Sequence, residues 1–384
     1  MTGPETGRGR PPESPAASEA AGRPAPQGDT QRLYFYGSGA TLFGIHIVNV
    51  LLTLLTLGVY YFWGKIRVRR YLMNQTEILG DRFAFHGTGK ELLRGWLKAA
   101  LVFGIPLLLL GTLPPFLEAG PGVQSLAALA LYCLIQVFIP VAMVGARRYR
   151  LSRTSWRGIR FSFRGPAVEF LRIFIVGSLL SLLTLGLYYP FFEAQRYRFM
   201  TVNAYFGTRR FGFDGRSQDL LVLYLLAVLV AGVSVLVTSV VVAAIAAVLA
   251  AAASALSPDS PLHALPVYVL LFPLFLPTLG AVWAWFSAKK LRYFWDHTVF
   301  GDARFRSTVT GRALFRLRLV NLVLLVLTLG LAWPWVTVRS ARFAFRYLTL
   351  AGPLDLETIQ QEAQEATAMG EGLSGFLDVG FDLG

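Results

Sequence analysis

The chain has 384 residues, of which 54% are hydrophobic and only 15% are charged. An ordinary soluble protein carries roughly 25% charged residues, so this composition excludes a typical soluble domain. Lys and Arg number 36 against 22 Asp and Glu, a net charge of +14, which fits either nucleic acid or an anionic membrane surface as partner. The one cysteine, Cys133, excludes a disulfide framework. Its apolar neighbours predict a buried packing residue.

Two tails flank the apolar part of the chain. Residues 1–31 are rich in Pro and Gly and contain no aromatic residue, which is typical of disorder. We predict an integral membrane domain over residues 32–350 and an acidic tail over residues 351–384. From Pro353 on, that tail contains no Lys or Arg. We expect it to be solvated, with a short helix over Asp355–Met369 as the alternative.

Seven apolar runs lie between the tails, and each is long enough for a membrane crossing, which needs about 20 helical residues. They are Ala40–Trp63, Leu97–Leu117, Val123–Gly145, Phe170–Phe192, Leu220–Leu256, Ala264–Phe286 and Leu314–Val336. The runs exclude nucleic acid as the main partner and predict the lipid bilayer instead. The predicted fold class is therefore an all-α membrane protein, a polytopic helical bundle.

An internal repeat organises this bundle. The stretch LLTLLTLGVYYFWGKIRVRRY recurs as LLSLLTLGLYYPFFEAQRYRF, and its core recurs once more near the C-terminus. The repeat predicts two long units and a partial third, approximately 32–160, 161–304 and 305–350. In each copy an apolar helix runs into Thr-Leu-Gly, where glycine weakens the helix. The predicted helix breaks are at Gly58, Gly186 and Gly330.

Short segments that alternate Arg with Phe lie outside the apolar runs, and this alternation predicts β-strands outside the bilayer. The segments are Leu33–Gly37, Arg82–Phe85, Arg160–Phe163, Arg210–Phe213 and Arg304–Arg306. We expect them to form a small basic cytoplasmic sheet that is accessory to the helical bundle.

The distribution of Lys and Arg distinguishes two topologies. If all seven runs cross the membrane, the two sides carry 17 and 15 Lys and Arg, so no positive-inside asymmetry remains. If the three repeated segments instead enter and leave on one face, only four runs cross. The outer loops are then Glu118–Gly122 and Ser257–His263, which contain no Lys or Arg. The second topology is favoured and places the basic loops and the C-terminus in the cytoplasm. The first stays open because Phe43–Trp63 is as long as a full crossing.

At these residues the chain resembles a known family. The run YFYGSGATLFGIHIVNVLLTLLTLGVYYFWGKIRVRRYL, followed by GDRFAFHGTGKELLRGW, is similar to the YjgN family of bacterial multi-pass inner-membrane proteins. The resemblance covers most of residues 32–350 and implies a location in the bacterial inner membrane. That family is of unknown function, so the resemblance implies no substrate and no catalytic residue. The third copy departs from the pattern, because Ala332 and Trp333 replace the tyrosine pair.

Enzyme chemistry is not expected, because the sequence has no recognisable catalytic constellation, metal site or cofactor motif. The four histidines lack ligand spacing, and no nucleophile elbow or phosphate-binding loop is present. The segment around His86 resembles a phosphate loop, but the aligned segment of the second copy does not. We therefore predict a strand-to-helix turn capped by Thr88.

Two polar sets are candidate sites. Arginines that follow each break share a helical face, and guanidinium groups bind phosphate in bidentate geometry. They predict anchoring to anionic phospholipid headgroups, with a ring of anion-binding groups as the more specific alternative. These arginines are Arg67, Arg70, Arg196, Arg198, Arg339 and Arg342. We expect the second, intramembrane set to satisfy backbone or interhelical partners, with a solute site as the alternative. Its members are Asn49, Thr56, Thr184, Asn321 and Thr328.

Two functions remain open. Matched broken helices point to transport, here of a small anionic or amphipathic solute. The alternative is a membrane-organising scaffold that binds anionic lipid headgroups without transporting anything. A polar, accessible cavity near Asn49, Thr56, Asn321 and Thr328 would favour transport. A sealed apolar interior would favour the scaffold.

Overall fold

The computed structural model describes residues 30–256, 272–354 and 359, without the side chains of residues 250, 253–256 and 272. The predicted loop Ser257–His263, the start of the run Ala264–Phe286 and nearly all of both predicted tails lie outside these residues. The predicted N-terminal tail meets the described chain only at Thr30 and Gln31, and both belong to a strand.

Ten short strands recur along the described chain. They are β1 (Thr30–Phe35), β2 (Thr76–Ile78), β3 (Asp81–Phe85), β4 (Thr154–Trp156), β5 (Ile159–Phe163), β6 (Ala204–Phe206), β7 (Arg209–Phe213), β8 (Thr298–Phe300), β9 (Ala303–Ser307) and β10 (Leu348–Ala351). Each strand pairs antiparallel with its neighbours in chain order, and β10 returns to pair with β1, so the sheet closes into a barrel.

Helices occur in pairs between these strands. They are α1 (Gly39–Leu55), α2 (Tyr61–Asn74), α3 (Gly89–Ala99), α4 (Ile105–Phe116), α5 (Pro121–Ser152), α6 (Ala167–Leu183), α7 (Tyr189–Val202), α8 (Ser217–Leu256), α9 (Phe275–Asp296), α10 (Gly311–Leu327) and α11 (Trp333–Arg346). A π-helical turn joins α3 and α4 into one helix. We call α1/α2, α6/α7 and α10/α11 the short pairs, and α3–α4/α5 and α8/α9 the long pairs. Each pair begins and ends at the barrel.

The predicted fold class, an all-α membrane bundle, is therefore wrong. Four of the five predicted β-segments lie within strands and the fifth, Leu33–Gly37, overlaps β1, but these strands belong to a closed ten-stranded barrel rather than to a small accessory sheet. The strands β2, β4, β6 and β8 have only three residues each, which is too short to show an alternating pattern. The pairings that join one hairpin to the next, such as β3 with β4, link strands separated by a whole helical pair, so no local signal indicates closure.

Two tiers of side chains fill the barrel. Phe83, Phe161, Phe211 and Phe305, with Leu33 in the fifth place, come from the longer strands. Successive phenylalanine rings have centroids 6.2, 6.5 and 6.4 Å apart. The second tier comes from the shorter strands and comprises Ile78, Trp156, Phe206, Phe300 and Leu350. Ile359 is buried against the same cluster. The barrel is thus a packed core, as expected for a small barrel.

Each short pair turns at Thr-Leu-Gly. After α1, Gly58 N–H donates to the Thr53 carbonyl at 2.7 Å and Leu57 N–H donates to Leu54 at 3.2 Å, which is the Schellman arrangement. The left-handed residue is the leucine, because Leu57, Leu185 and Leu329 have φ of 49°, 51° and 50°. These leucines are 95%, 97% and 94% exposed. The apolar tips therefore protrude from the protein.

In the short pairs α1/α2 and α6/α7, a larger side chain on one helix packs against a glycine on the other. In α1/α2, Asn49 faces Gly64 and donates to its carbonyl at 3.2 Å. In α6/α7 the sizes are reversed, because a Cβ on Gly177 would meet the ring of Phe192 at 2.1 Å. Interhelical packing of this kind explains why the same position is polar in one pair and glycine in the next.

Three described helices are long and apolar enough to cross a membrane: Gly89–Phe116, Pro121–Ser152 and Ser217–Leu249. All three belong to the long pairs. The runs Ala40–Trp63, Phe170–Phe192 and Leu314–Val336 are not single helices, since each is bent back into a short pair. Cys133 on α5 is exposed, so its prediction as a buried packing residue is wrong. An apolar run that faces outward gives its cysteine no protein neighbours to pack against.

Replacing Phe161 by Ala should destabilise the barrel strongly. The ring of Phe161 lies 4.8 Å from that of Phe206 and 6.2 Å from that of Phe83, so its loss leaves a cavity. We expect the free energy of unfolding to fall by about 3–5 kcal/mol, measured by thermal unfolding in detergent. Arg210→Ala, an exposed change on β7, two strands away in the barrel, should alter it by no more than about 0.5 kcal/mol. Equal effects of the two changes would contradict a packed barrel interior.

Candidate functional site

An arginine recurs at one position in every helix that leads into a shorter strand. It stands five residues before the C-terminal cap of α2, α5, α7, α9 and α11. We call this set the arginine collar, and its members are Arg70, Arg148, Arg198, Arg292 and Arg342. All are exposed except Arg148, which is partly exposed. Because the five helices are arranged around the barrel, the collar encircles the base of the helical pairs.

Three collar arginines donate hydrogen bonds to the turn that precedes the next helical pair around the ring. Arg70 donates to the carbonyl of Gly87 at 3.2 Å, and Arg148 donates to that of Gly165 at 2.9 Å. Arg342 donates to the carbonyl of Gly37 at 2.9 Å, which joins the last helix to the turn after the first strand. Each bond uses one Nη of a guanidinium that has five N–H donors. Donors therefore remain on these exposed side chains.

The other predicted arginines are placed differently. Arg67 is exposed and lies over the ring of Tyr60 at 5.8 Å. Arg196 lies over Phe192 at 5.2 Å, and its Nε is shielded from solvent without a hydrogen bond. Arg339 is partly exposed. The predicted arginines therefore do not converge on one ligand, since they are distributed around the ring on three separate helices.

Sequence reasoning missed part of this set. Arg148 and Arg292 lie in the long pairs, outside the three aligned stretches, so alignment of the three copies did not include them. The signal that could have found them is their spacing of five residues from the end of a helix.

A second set of arginines occupies the outer face of the barrel at equivalent strand positions. Its members are Arg32, Arg82, Arg160, Arg210 and Arg304. Of these, Arg82 pairs with Glu77 and Arg304 pairs with Asp214.

The residues of the predicted intramembrane polar set form hydrogen bonds within the protein. Thr56 Oγ1 donates to the Leu52 carbonyl at 2.7 Å and accepts the Tyr60 N–H at 2.9 Å. Thr184 and Thr328 make the same two bonds in their own pairs. Asn321 donates to Ser340 Oγ at 3.2 Å. Each threonine thus stabilises the turn of a short pair through two hydrogen bonds. The glycines of these turns, Gly58, Gly186 and Gly330, have φ values of 95°, 89° and 88°.

The turn around His86 is a helix start. Thr88 and Glu91 form a reciprocal capping box at the beginning of α3, so the predicted cap is confirmed. His86 Nε2 is 2.7 Å from Ser155 Oγ. In the part of the chain that the structure describes, no group of three or more His, Cys, Asp or Glu is placed to hold a metal ion.

The architecture defines a class: a helical membrane protein whose helical pairs all rise from one side of a closed barrel. Residues 30–376 match the family described as "Bacterial protein of unknown function (DUF898)", and the chain belongs to that family. Its curated relatives confirm the resemblance to the YjgN family. No solved structure matches the chain.

The curated relatives are called "Inner membrane protein YjgN". The protein of Salmonella typhimurium is 30% identical over 167 residues, which is 40% of this chain and 40% of the relative. The proteins of Escherichia coli O157:H7 and of Escherichia coli strain K12 are 34% and 31% identical over 129 residues, 34% of this chain and 30% of each relative. The matched part thus covers only 30% to 40% of the relatives' length.

Replacing Thr56, Thr184 and Thr328 together by Val should destabilise the short pairs, because each hydroxyl both donates and accepts at the turn. Loss of a capping side chain costs about 1 kcal/mol, so the triple variant should lose about 3 kcal/mol in thermal unfolding. Ser at the same positions keeps the hydroxyl and should retain most of the stability. Unchanged stability of the Val variant would contradict a structural role for these threonines.

Proposed function

We propose that the chain is an inner-membrane protein that organises the membrane by holding anionic lipid headgroups around a cytoplasmic barrel. The observation that carries the proposal is the arginine collar, exposed at the base of apolar helical pairs. The name of the relatives, "Inner membrane protein YjgN", supports a location in the inner membrane. The absence of Lys and Arg from Phe116–Pro121, the tip of the first long pair, supports a cytoplasmic barrel by the positive-inside rule.

The short pairs have the right apolar depth for one leaflet. Their first charged side chains, Lys65, Glu193 and Arg318, occur within about three helical turns of the tip, or about 16 Å. Half of the hydrocarbon core is about 15 Å thick. The short pairs therefore enter the cytoplasmic leaflet and return from it.

The long pairs are deep enough to cross. In α5 no Asp, Glu, Lys, Arg or His occurs between Pro121 and Ala146, a rise of about 39 Å. In α8 no such charged residue or histidine follows Asp219 up to Leu256. The proposed topology has four crossings and three leaflet-deep insertions, which makes it multi-pass with parallel repeats.

The collar then lies at headgroup depth. Arg70 follows Lys65 by five residues, about 8 Å further from the apolar tip. The headgroup region is roughly 5–8 Å thick on each side. Exposed guanidinium groups at that depth meet lipid phosphates, which they bind in bidentate geometry.

Transport of a small anionic or amphipathic solute is the second candidate, and the geometry gives it less support. A route along the ring axis would have to pass the two tiers of side chains that fill the barrel. The threonines at the breaks bond to backbone, and Asn49 is only 7% exposed. An accessible polar cavity at these residues is the feature that transport would need.

The collar predicts a preference for anionic lipid. Arg198 and Arg292 of the collar, and Arg67 one turn before the collar residue Arg70, are exposed and make no ion pair or hydrogen bond to the described residues. Each arginine near an anionic surface contributes about 1 kcal/mol, which is about fivefold in affinity. Replacing all three by Gln should bring the preference for phosphatidylglycerol over phosphatidylcholine close to parity. The measurement is tryptophan quenching by brominated lipids in proteoliposomes.

A matched control removes the same charge from the barrel. Arg32, Arg210 and Arg306 are exposed on strands, and their replacement by Gln should leave the lipid preference at the level of the unchanged protein. If the two triple variants behave alike, the collar has no special role. If the unchanged protein shows no preference for phosphatidylglycerol, the proposed function is wrong.

A further inference from the structure

The end of the barrel opposite the helical pairs is formed by hairpin turns, and we call this end the mouth. Odd-numbered strands lead into helices and even-numbered strands follow them, so the turns that join an even strand to the next odd strand lie at the mouth. These turns are at residues 79–80, 157–158, 207–208 and 301–302. Four even strands finish there with large apolar residues of the barrel core, Ile78, Trp156, Phe206 and Phe300. The mouth is therefore an apolar surface edged by turns.

The chain turns across the mouth directly after its last strand. Gly352 has a φ of 117°. A Cβ at this position would lie 2.9 Å from the carbonyl oxygen of Asp302 and 3.0 Å from the Cα of Ala303. Both of these atoms belong to the backbone, so rotation of a side chain cannot make room. Glycine thus lets the chain leave β10 in close contact with the turn between β8 and β9.

Two apolar side chains beyond Gly352 pack on the mouth, and we call them the anchors. Leu354 packs against the barrel core and lines a crevice beside Phe300 and Arg209. Ile359 is only 6% exposed and is buried in the same core cluster. Because burial of apolar side chains is favourable, the anchors hold the C-terminal segment against the barrel.

The charge of this segment complements the charge of the barrel. From Pro353 on, the chain contains seven Asp and Glu and no Lys or Arg. The ten described strands contain seven arginines, and their acidic residues are Glu77 and Asp81. At the mouth itself, Arg209 forms an ion pair with Asp302 at 3.8 Å. Opposite potentials favour association, so an acidic apolar segment suits this surface better than a basic one.

We propose that the mouth is a binding site for a short acidic segment with two apolar side chains five positions apart. The chain's own C-terminal segment, held by Leu354 and Ile359, is its resident ligand. A tethered ligand acts at an effective concentration on the order of millimolar, so a partner segment of the same chemistry must displace it. The mouth lies at the opposite end of the barrel from the collar, and the proposal does not depend on lipid binding.

The first test measures access to the mouth in the full-length protein in detergent. The probe is a fluorescent peptide with the sequence of residues 352–366, and its binding is followed by anisotropy. The variant Leu354→Asp, Ile359→Asp would bury two charges in an apolar core, so its own segment should leave the mouth. The peptide should bind this variant at least about tenfold more tightly than the unchanged protein. Equal affinities, or no binding to the variant, would overturn the proposal.

Two controls separate the anchors from the charge. The variant Leu373→Asp, Phe376→Asp adds the same two charges further along the tail, and it should bind the peptide as weakly as the unchanged protein does. A scrambled peptide of the same composition should bind the Leu354→Asp, Ile359→Asp variant at least about tenfold more weakly than the original peptide. Tight binding by the tail control contradicts the proposal. Equal binding of the two peptides also contradicts it, because it shows a non-specific attraction to the basic barrel.

A measurement on the unchanged protein covers the case in which the double variant does not fold. Endoproteinase Glu-C cleaves after Glu357, between the two anchors, and cleavage requires that the segment first leaves the mouth. This bond should be cut at least about tenfold more slowly in the protein than in the free peptide. Gly352→Val, whose side chain would meet the turn between β8 and β9, should raise the rate toward that of the peptide. Equal rates in the unchanged protein and the peptide, or no acceleration by Gly352→Val, would contradict the proposal.

Discussion

Closure of the ten-stranded barrel is the constraint on which the other features depend. Every strand finds both partners within one ring, and the pairing of β10 with β1 joins the two ends of the described chain. Each helical pair must therefore leave the barrel and return to it. Arg342, which donates to the carbonyl of Gly37 across 305 residues of sequence, reinforces the same closure from the helical side. The length of a pair then sets how deeply it can enter a bilayer.

The proposed insertion of the short pairs into one leaflet accounts for the leucines at their tips. A left-handed conformation costs a side chain with a Cβ about 1 kcal/mol, and glycine would avoid it. Leu57 adopts this conformation, and the protein leaves 95% of its surface exposed. Burying a leucine side chain in an apolar medium contributes roughly 1.5–3 kcal/mol, which offsets the strain. The sequence keeps glycine for the next position, where the Schellman bond to Thr53 closes the turn.

Local features of this fold could be predicted from the sequence, and the long-range ones could not. The breaks at Thr-Leu-Gly and the cap at Thr88 rest on neighbouring residues, and the alternation in Arg82–Phe85 marks a strand. The partner of that strand, Thr154–Trp156, has three residues and lies beyond a whole long pair, so nothing in the sequence signals the pairing. The arginines Arg70 and Arg342 could be found from their spacing. That they bond to glycines of neighbouring units depends on the ring.

The placement of the short pairs in a single leaflet is the central claim, and cysteine accessibility tests it most directly. In a Cys133→Ser background, single changes Leu57→Cys, Gly120→Cys and Arg210→Cys probe the tip of a short pair, the tip of a long pair and the barrel. A membrane-impermeant maleimide should label Gly120→Cys in right-side-out vesicles and Arg210→Cys in inverted vesicles, and should label Leu57→Cys in neither. Labelling of Leu57→Cys in right-side-out vesicles would show that the short pairs cross the membrane and would contradict the account.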